Sequence, residues 1–399
     1  MIDYQHFKQK SPVKTYQRLL RNCLCFSIFV ANTFFLTFCN NEPEMGTYSF
    51  DKQFLRNNGV ETVELSSEDG LARVLMAPAW QGRVATSTAD GETGQSFGWI
   101  NHKFIESGER SLQFNNFGGE ERFWLGPEGG ENSWFFAPGA EQVFANWKVP
   151  DPFDTDVFDI EEKTDSSVVF HREVTLHNAK GKDFRMEMRR RVTLLGKKDL
   201  EAMDILIPED CSFVAYTSEN TISNKGAEAW TEESGMPSVW MLGMFNVTEG
   251  TTVYIPYNQD GEGVIVKDDY FGPMPEGRVK AENGMIEFKI DGKFRSKIGV
   301  NDSRSMGKVI ASDPIQGITT MLITAVPEPG ARYVNSQWGV QDNAFGGDAL
   351  NSYNDGPTED GTIMGPFYEI ESSSPAASLS PGESLTHKQT TVHIKKKRS

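Results

Sequence analysis

The sequence predicts an all-β protein, a sandwich of large, mostly antiparallel sheets. Three observations carry that expectation. Apolar and polar residues alternate with period two through VVFHREVTLHN (168–178) and again through FRMEMRRRVTLL (184–195). Clusters of Gly, Pro, Asn and Asp punctuate the chain between such runs. No long stretch keeps a convincing helical period, which argues against a parallel sheet with crossover helices.

The two alternating runs flank NAKGKD and form an expected β-hairpin. Phe184, Met186, Met188, Val192 and Leu194 share the core face. Arg185, Glu187, Arg189 and Arg191 share the wet one. Further strands are expected at 73–80, 253–257, 284–290, 317–326 and 386–395. The chain of 399 residues can bury a large core. Without a low-complexity linker after Met45, one domain from about 48 to about 395 is the simplest organisation. Residues 396–399 then form a basic tail.

The formal net charge is -17. Five Lys/Arg and one acid lie in the first 38 residues, which leaves about -21 on the remainder. Such a chain repels nucleic acid, whose recognition needs clustered Lys and Arg. The first 39 residues are expected to be a leader. A basic region runs into the apolar stretch CLCFSIFVANTFFLTFC (23–39), too short for an ordinary membrane span. Its end, Leu36-Thr37-Phe38-Cys39, resembles a bacterial lipobox, with Phe38 where a small residue is preferred. That resemblance implies lipidation at Cys39, a polar tether over 40–47, export, and an anchor at the cell envelope. A plain secretory leader and a retained anchor are the alternatives. With Cys23, Cys25 and Cys39 in the leader, Cys211 stands alone, so no disulfide framework is expected. Cys211 is expected to be a small buried hydrophobe.

Two segments resemble the galactose mutarotase-like superfamily. GPFYEIESSSPAASLSPGESLTHKQTTVHI (365–394) is similar to its closing strands: a carboxylate-bearing strand, a Pro-containing connection, an L-x-P-G-E turn at 379–383 and a final strand. GGEERFW (118–124) with Pro127 and Glu128 is similar to a second element of that superfamily. The resemblance implies a supersandwich with a concave sugar-binding surface. It also implies chemistry in which one group takes the anomeric hydroxyl proton and another protonates the ring oxygen. The superfamily's catalytic glutamate lies in the 367–373 strand. Glu369 and Glu371 both qualify, and the distance back from Leu379 slightly favours Glu369.

The residues themselves point the same way. Glu369 and Glu371 are two apart on a strand and so share a face with Phe367. Paired carboxylates in a cleft raise at least one pKa toward neutrality. The segment FGGEERFWLGPEGGENSWFF (117–136) mixes aromatic, acidic and glycine residues. Glu121, Arg122, Trp124, Glu128 and Asn132 are its candidate sugar contacts, with glycines allowing close approach. The alternative is that its rings fill the core. NAFGGDALNSYNDGP (343–357) reads as a loop offering Asn351, Tyr353, Asn354 and Asp355, with Trp338 close by in sequence. Its oxygens would also suit calcium, although the spacing matches no EF-hand; no other cofactor is called for. After the leader the histidines are His102, His171, His177, His387 and His393, and none stands in the motif that supplies the superfamily's catalytic imidazole. Three functions remain open: an epimerase-type enzyme, a non-catalytic carbohydrate-binding lipoprotein, and a structural envelope protein. The expected partner is a carbohydrate, with membrane contact through the lipid alone.

Overall fold

Alternation in the strands decides the layers. In a computed structural model, residues 42–358 and 361–397 are described. The leader, Cys39 and the first residues of the tether lie outside the described residues, as does the end of the basic tail.

A ten-residue helix, α1 (Tyr48–Asn57), opens the described chain, capped by the Thr47 hydroxyl on Phe50 N–H. It is followed by β1 (Val63–Ser66), β2 (Arg73–Ala77), β3 (Arg83–Thr88), the short α2 (His102–Ser107), β4 (Arg122–Gly126) and α3 (Asp151–Asp154). Next come β5 (Asp159–Lys163), β6 (Ser167–His177), β7 (Asp183–Leu194), α4 (Lys197–Glu201), β8 (Cys211–Asn224), β9 (Ser238–Asn246) and β10 (Thr252–Pro256). The chain closes with β11 (Val279–Glu282), β12 (Met285–Lys289), β13 (Ser296–Asn301), β14 (Lys308–Asp313), β15 (Ile318–Thr324), β16 (Asp348–Asn354), β17 (Phe367–Ser373) and β18 (Ser384–Lys396).

Two sheets make the sandwich. The larger has ten strands in the order β11-β12-β10-β14-β15-β18-β8-β7-β6-β5. The smaller has five, β13-β16-β17-β9-β4. A three-stranded sheet, β1-β2-β3, stands apart from both ladders. Every ladder between named strands is antiparallel. The all-β class expected from the alternation is the fold observed.

The β6–β7 hairpin forms at 167–177 and 183–194, and Phe184, Met186, Met188 and Val192 are buried as expected. Each such side chain contributes roughly 1.5–3 kcal/mol on burial. The core holds one departure from that pattern. Arg190 shares the parity of Met188 and Val192, is fully buried, and bonds Glu121 at 2.6 Å. Gln389 on β18 donates to the other Glu121 oxygen at 2.7 Å. Burial pushes the Glu121 carboxyl upward despite Arg190. On the same inner layer, His387 meets the Ser372 hydroxyl at 2.7 Å, and burial pulls its imidazole down to about 4.

Three expectations are corrected. Residues 343–357 are not simply a loop: 348–354 form β16, between β13 and β17 in the five-stranded sheet. Residues 73–80 split into β2 and a 3-10 turn at Pro78–Trp80, because Pro78 lacks the N–H a continuing ladder needs. Cys211 is half-buried rather than buried, at the start of β8 beside Asp210.

Truncating Arg190 to Ala strands the Glu121 charge in the core. Urea unfolding is expected to show a loss of about 3–5 kcal/mol, most of it recovered in the double variant Glu121→Leu/Arg190→Met. His387 gives a pH signature. Its unfolded form takes up a proton near 6.5 while the native form resists to about 4, so stability is lost as pH falls through that window. The wild type should lose more stability there than His387→Gln.

Candidate functional site

The candidate site is the outer face of the five-stranded sheet, the face turned away from the ten-stranded one. Period two selects its residues: Arg122 and Trp124 from β4, Trp240, Leu242 and Met244 from β9, Glu369 and Glu371 from β17, Asn351 and Tyr353 from β16, and Lys297 from β13. The register then fixes who faces whom. Glu371 lies between Leu242 and Asn351, with Arg122 beyond Leu242. Glu369 lies between Met244 and Tyr353, with Lys297 beyond Tyr353.

Two ion pairs run diagonally across these rows. Arg122 Nη2 donates to Glu369 Oε1. Lys297 Nζ donates to Glu371 Oε2 at 2.9 Å, and the Trp240 indole N–H donates to the same oxygen at 2.8 Å. Glu371 Oε1 and Arg122 Nε are buried with no hydrogen-bond partner. The Arg122 guanidinium lies 4.8 Å from the Trp124 ring centre, and Lys297 Nζ lies 5.1 Å from that of Trp240. Burial pushes the Glu369 carboxyl up to about 7. Arg122 opposes that shift and Glu371 adds to it. For Lys297, burial disfavours the charge, but the Glu371 carboxylate outweighs it and holds the ammonium above its usual range.

Around this centre, Tyr353 donates to Asp355 Oδ1 at 2.7 Å and accepts from Arg295 Nε at 3.2 Å. Burial raises the Asp355 carboxyl. The Glu128 carboxyl is also raised by burial, with Lys297 and the Trp338 indole pulling the other way. Trp338 is half-buried and sits edge-on to Phe136, centres 5.1 Å apart.

The structure therefore brings together Arg122, Trp124, Glu128, Trp338, Asn351, Tyr353, Asp355, Glu369 and Glu371. It does not bring Glu121, Asn132 or Asn354 to that face. Glu121 follows strand parity inward to Arg190. Asn132 is buried beside Gly235, among residues lining a separate small cavity with Met236 and Gln341. Asn354 has the opposite parity to Tyr353, and its amide clasps the 291–294 turn through Gly292 N–H at 2.9 Å and the Phe294 carbonyl at 2.8 Å. In the 117–136 segment the rings of Phe123, Trp124, Trp134, Phe135 and Phe136 belong to the core, the Trp124 indole N–H donating to the Phe153 carbonyl at 2.8 Å. The glycines there serve packing. A Cβ on Gly118 would stand 2.2 Å from the Trp99 carbonyl, and one on Gly119 2.8 Å from the Arg83 stem; both have positive φ.

Sequence reasoning missed Lys297, Trp240 and Tyr270. Lys297 alternates with Ile298 and Val300 in SKIGVN, so a period-two scan could have found the strand, but nothing local marks its partner, Glu371. The histidines lie elsewhere. His102 pairs with Asp51 near α1, His171 and His177 are on the outer hairpin, and His387 and His393 are between the sheets. Among the described residues, no group of three or more His, Cys, Asp or Glu side chains is placed to hold a metal ion.

With fold and geometry in hand, the chain can be placed. It shares its architecture with solved structures at low identity. The Slr1438 protein of Synechocystis aligns at 14% identity over 85% of this chain and 96% of its own, TM-score 0.50. A galactose mutarotase-like protein from Lactobacillus casei aligns at 13% identity over 84% and 99%, TM-score 0.48. A galactose mutarotase related enzyme from Lactobacillus acidophilus aligns at 10% identity over 85% and 99%, TM-score 0.47. The superfamily resemblance of the two motifs thus holds as a resemblance of fold. Residues 46–399 match a family of unknown function, DUF6786, and the chain belongs to that family. No curated protein matches it.

Removing the ammonium isolates the Glu371 charge. Lys297→Met is expected to lose about 3 kcal/mol or more at neutral pH, with the double variant Lys297→Met/Glu371→Gln regaining most of it. Guanidinium titrations of the four-variant cycle check this.

Proposed function

We propose that the protein binds a neutral carbohydrate on the outer face of the five-stranded sheet and opens and recloses its ring there, as a mutarotase-type isomerase. The observation that carries this reading is the pair Glu369 and Glu371. They are adjacent on one strand face, walled by Trp124, Trp240 and Tyr353, with Glu371 Oε1 left as an unused acceptor.

Glu371 has Lys297 and Trp240 on Oε2 and presents Oε1 to the anomeric hydroxyl, whose proton it takes. Glu369, poised near neutrality, gives its proton to the ring oxygen. The C1–O5 bond breaks as C1 becomes a carbonyl. Rotation about the C1–C2 bond and the reverse transfers close the other anomer. No imidazole from the described residues lies on this face, so the second carboxyl takes the role that the resemblance gave to histidine. A neutral sugar is favoured because the two cations at the centre are already engaged, Arg122 by Glu369 and Lys297 by Glu371. The leader adds an exported setting, with Cys39 as the lipid attachment.

A second reading, carbohydrate binding without turnover, is favoured by one observation: each central carboxylate is already held in an ion pair. A panel of neutral, uronic and phosphorylated sugars, scored by thermal shift, addresses binding. A neutral sugar is expected to raise Tm, with the shift lost in Glu371→Gln. Exchange NMR on that sugar should show anomer interconversion falling about 100-fold or more in Glu369→Gln while binding persists. Binding without accelerated exchange selects the second reading. No shift with any sugar refutes both.

A further inference from the structure

Residues 257–278 join β10 to β11, which both pair antiparallel with β12 and so run parallel to each other, and a connection of that kind must cross over rather than turn tightly. The start of this segment is strapped down. Arg304 donates to the carbonyls of Asn258, Gln259 and Gly263, and Ile265 and Val266 pack on the inter-sheet core, as does Met274 near the far end. Lys267 and Gly299 exchange both backbone hydrogen bonds, at 2.9 and 2.8 Å, adding one rung beside β13.

Between those anchors, 268–273 stand off the body, exposed at every residue but Tyr270. Two side chains reach in. The Tyr270 hydroxyl donates to Asp348 Oδ2 and accepts from Asn351 Nδ2 at 3.1 Å, and its ring centre lies 5.7 Å from Lys297 Nζ. Phe271 is 46% exposed, yet it rests edge-on against Tyr353 at 5.9 Å with the Arg295 guanidinium 4.0 Å from its centre. Polar and cation–π contacts of this kind, with little apolar burial, mark a low-stability unit. Gly272 has φ +92° and open space where a Cβ would be, so the chain can swivel there. Gly299 matters for seating: a Cβ on it would stand 2.6 Å from the Tyr270 hydroxyl and 2.4 Å from Asp348 Oδ2.

We propose that residues 268–273 are a flap that lifts to admit a saccharide to the Lys297–Glu371–Glu369 face and reseats over it through Tyr270 and Phe271. Raised, the flap frees Asp348 as an acceptor and Asn351 as a donor for sugar hydroxyls. The ligand class rests on the carbohydrate reading above; the motion does not.

Hydrogen exchange by mass spectrometry on the whole protein, without ligand, tests the motion. Amides of 268–272 should exchange about tenfold or more faster than those of β16. Tyr270→Phe should raise the rate at Lys267 about three- to tenfold. Gly299→Ala should do the same, and chymotrypsin should then cut after Phe271 first. Should Gly299→Ala fail to fold, Phe271→Ala, at an exposed side chain, serves instead for the exchange rates alone, since it removes the chymotrypsin site. Amides of 268–272 as protected as those of Asn351 and Tyr353, or a Lys267 rate unmoved in the variants, overturn the flap. A sugar that binds and leaves exchange at 268–272 unchanged also overturns it. A mobile tip in a protein that binds no sugar keeps the motion and refutes only the carbohydrate reading.

Discussion

One peptide bond separates two buried ion pairs that point in opposite directions. Glu121 turns inward to Arg190 on the ten-stranded sheet, and Arg122 turns outward to Glu369. Strand alternation makes this obligatory, since successive side chains leave opposite faces. A slip of one residue between β4 and β9 would send each charge to the wrong side, unpaired and dehydrated. Net stabilisation from such pairs is modest, because desolvation offsets most of the attraction. Their effect is on uniqueness: few other registers satisfy both charges. Arg122 is therefore a structural residue and a site residue at once. The position of Glu369, and with it the paired carboxylates, follows from it.

Behind the site the inner layer is polar in a continuous seam. Ser372, on the reverse of β17, meets His387 and Gln389 of β18, and Gln389 goes on to Glu121. Nearby, His393 joins Thr320 at 2.8 Å and Glu120 at 3.1 Å. A purely apolar layer would let β17 slide over β18 at small cost. Hydrogen bonds with defined donors do not, because each misaligned pair leaves buried groups unmet. The acid-bearing strand is thus clamped from behind.

This arrangement explains what could be read from the sequence and what could not. The shared face of Glu369 and Glu371 was legible, because parity needs only one strand. The hairpin was legible for the same reason. Arg190 was not: it repeats the period of Met188 and Val192, and its partner lies far upstream in sequence. The Asn- and Asp-rich stretch before Gly356 was mistaken for a loop on composition. β16 has neighbours on both edges and its polar side chains find partners in distant segments: Asn351 in Tyr270, Asn354 in the 291–294 turn. Composition reports what a residue prefers alone, and here tertiary partners reverse the preference. The glycines of 117–136 misled in a similar way. The expectation was close approach to a ligand; at Gly118 and Gly119 the groups that approach are Trp99 and Arg83.

On the functional reading proposed, a carboxyl stands where the resemblance led one to expect an imidazole. Imidazole titrates near neutrality in water and needs little from its surroundings. A glutamate reaches the same range only where burial outweighs a neighbouring guanidinium, as at Glu369. Such a site depends on keeping water out; buried Trp124 and Trp240 do so on one side, while the other is covered by a half-exposed Phe271 with a cation over it. On the functional reading proposed, ligand entry and proton affinity are then coupled. Lifting the cover admits water and favours the ionised Glu369. Closing over a sugar drives the solvent out and restores the proton that the ring oxygen requires. The cover would then act in the proton transfer as well as in access, which distinguishes this face from one that merely shares its fold.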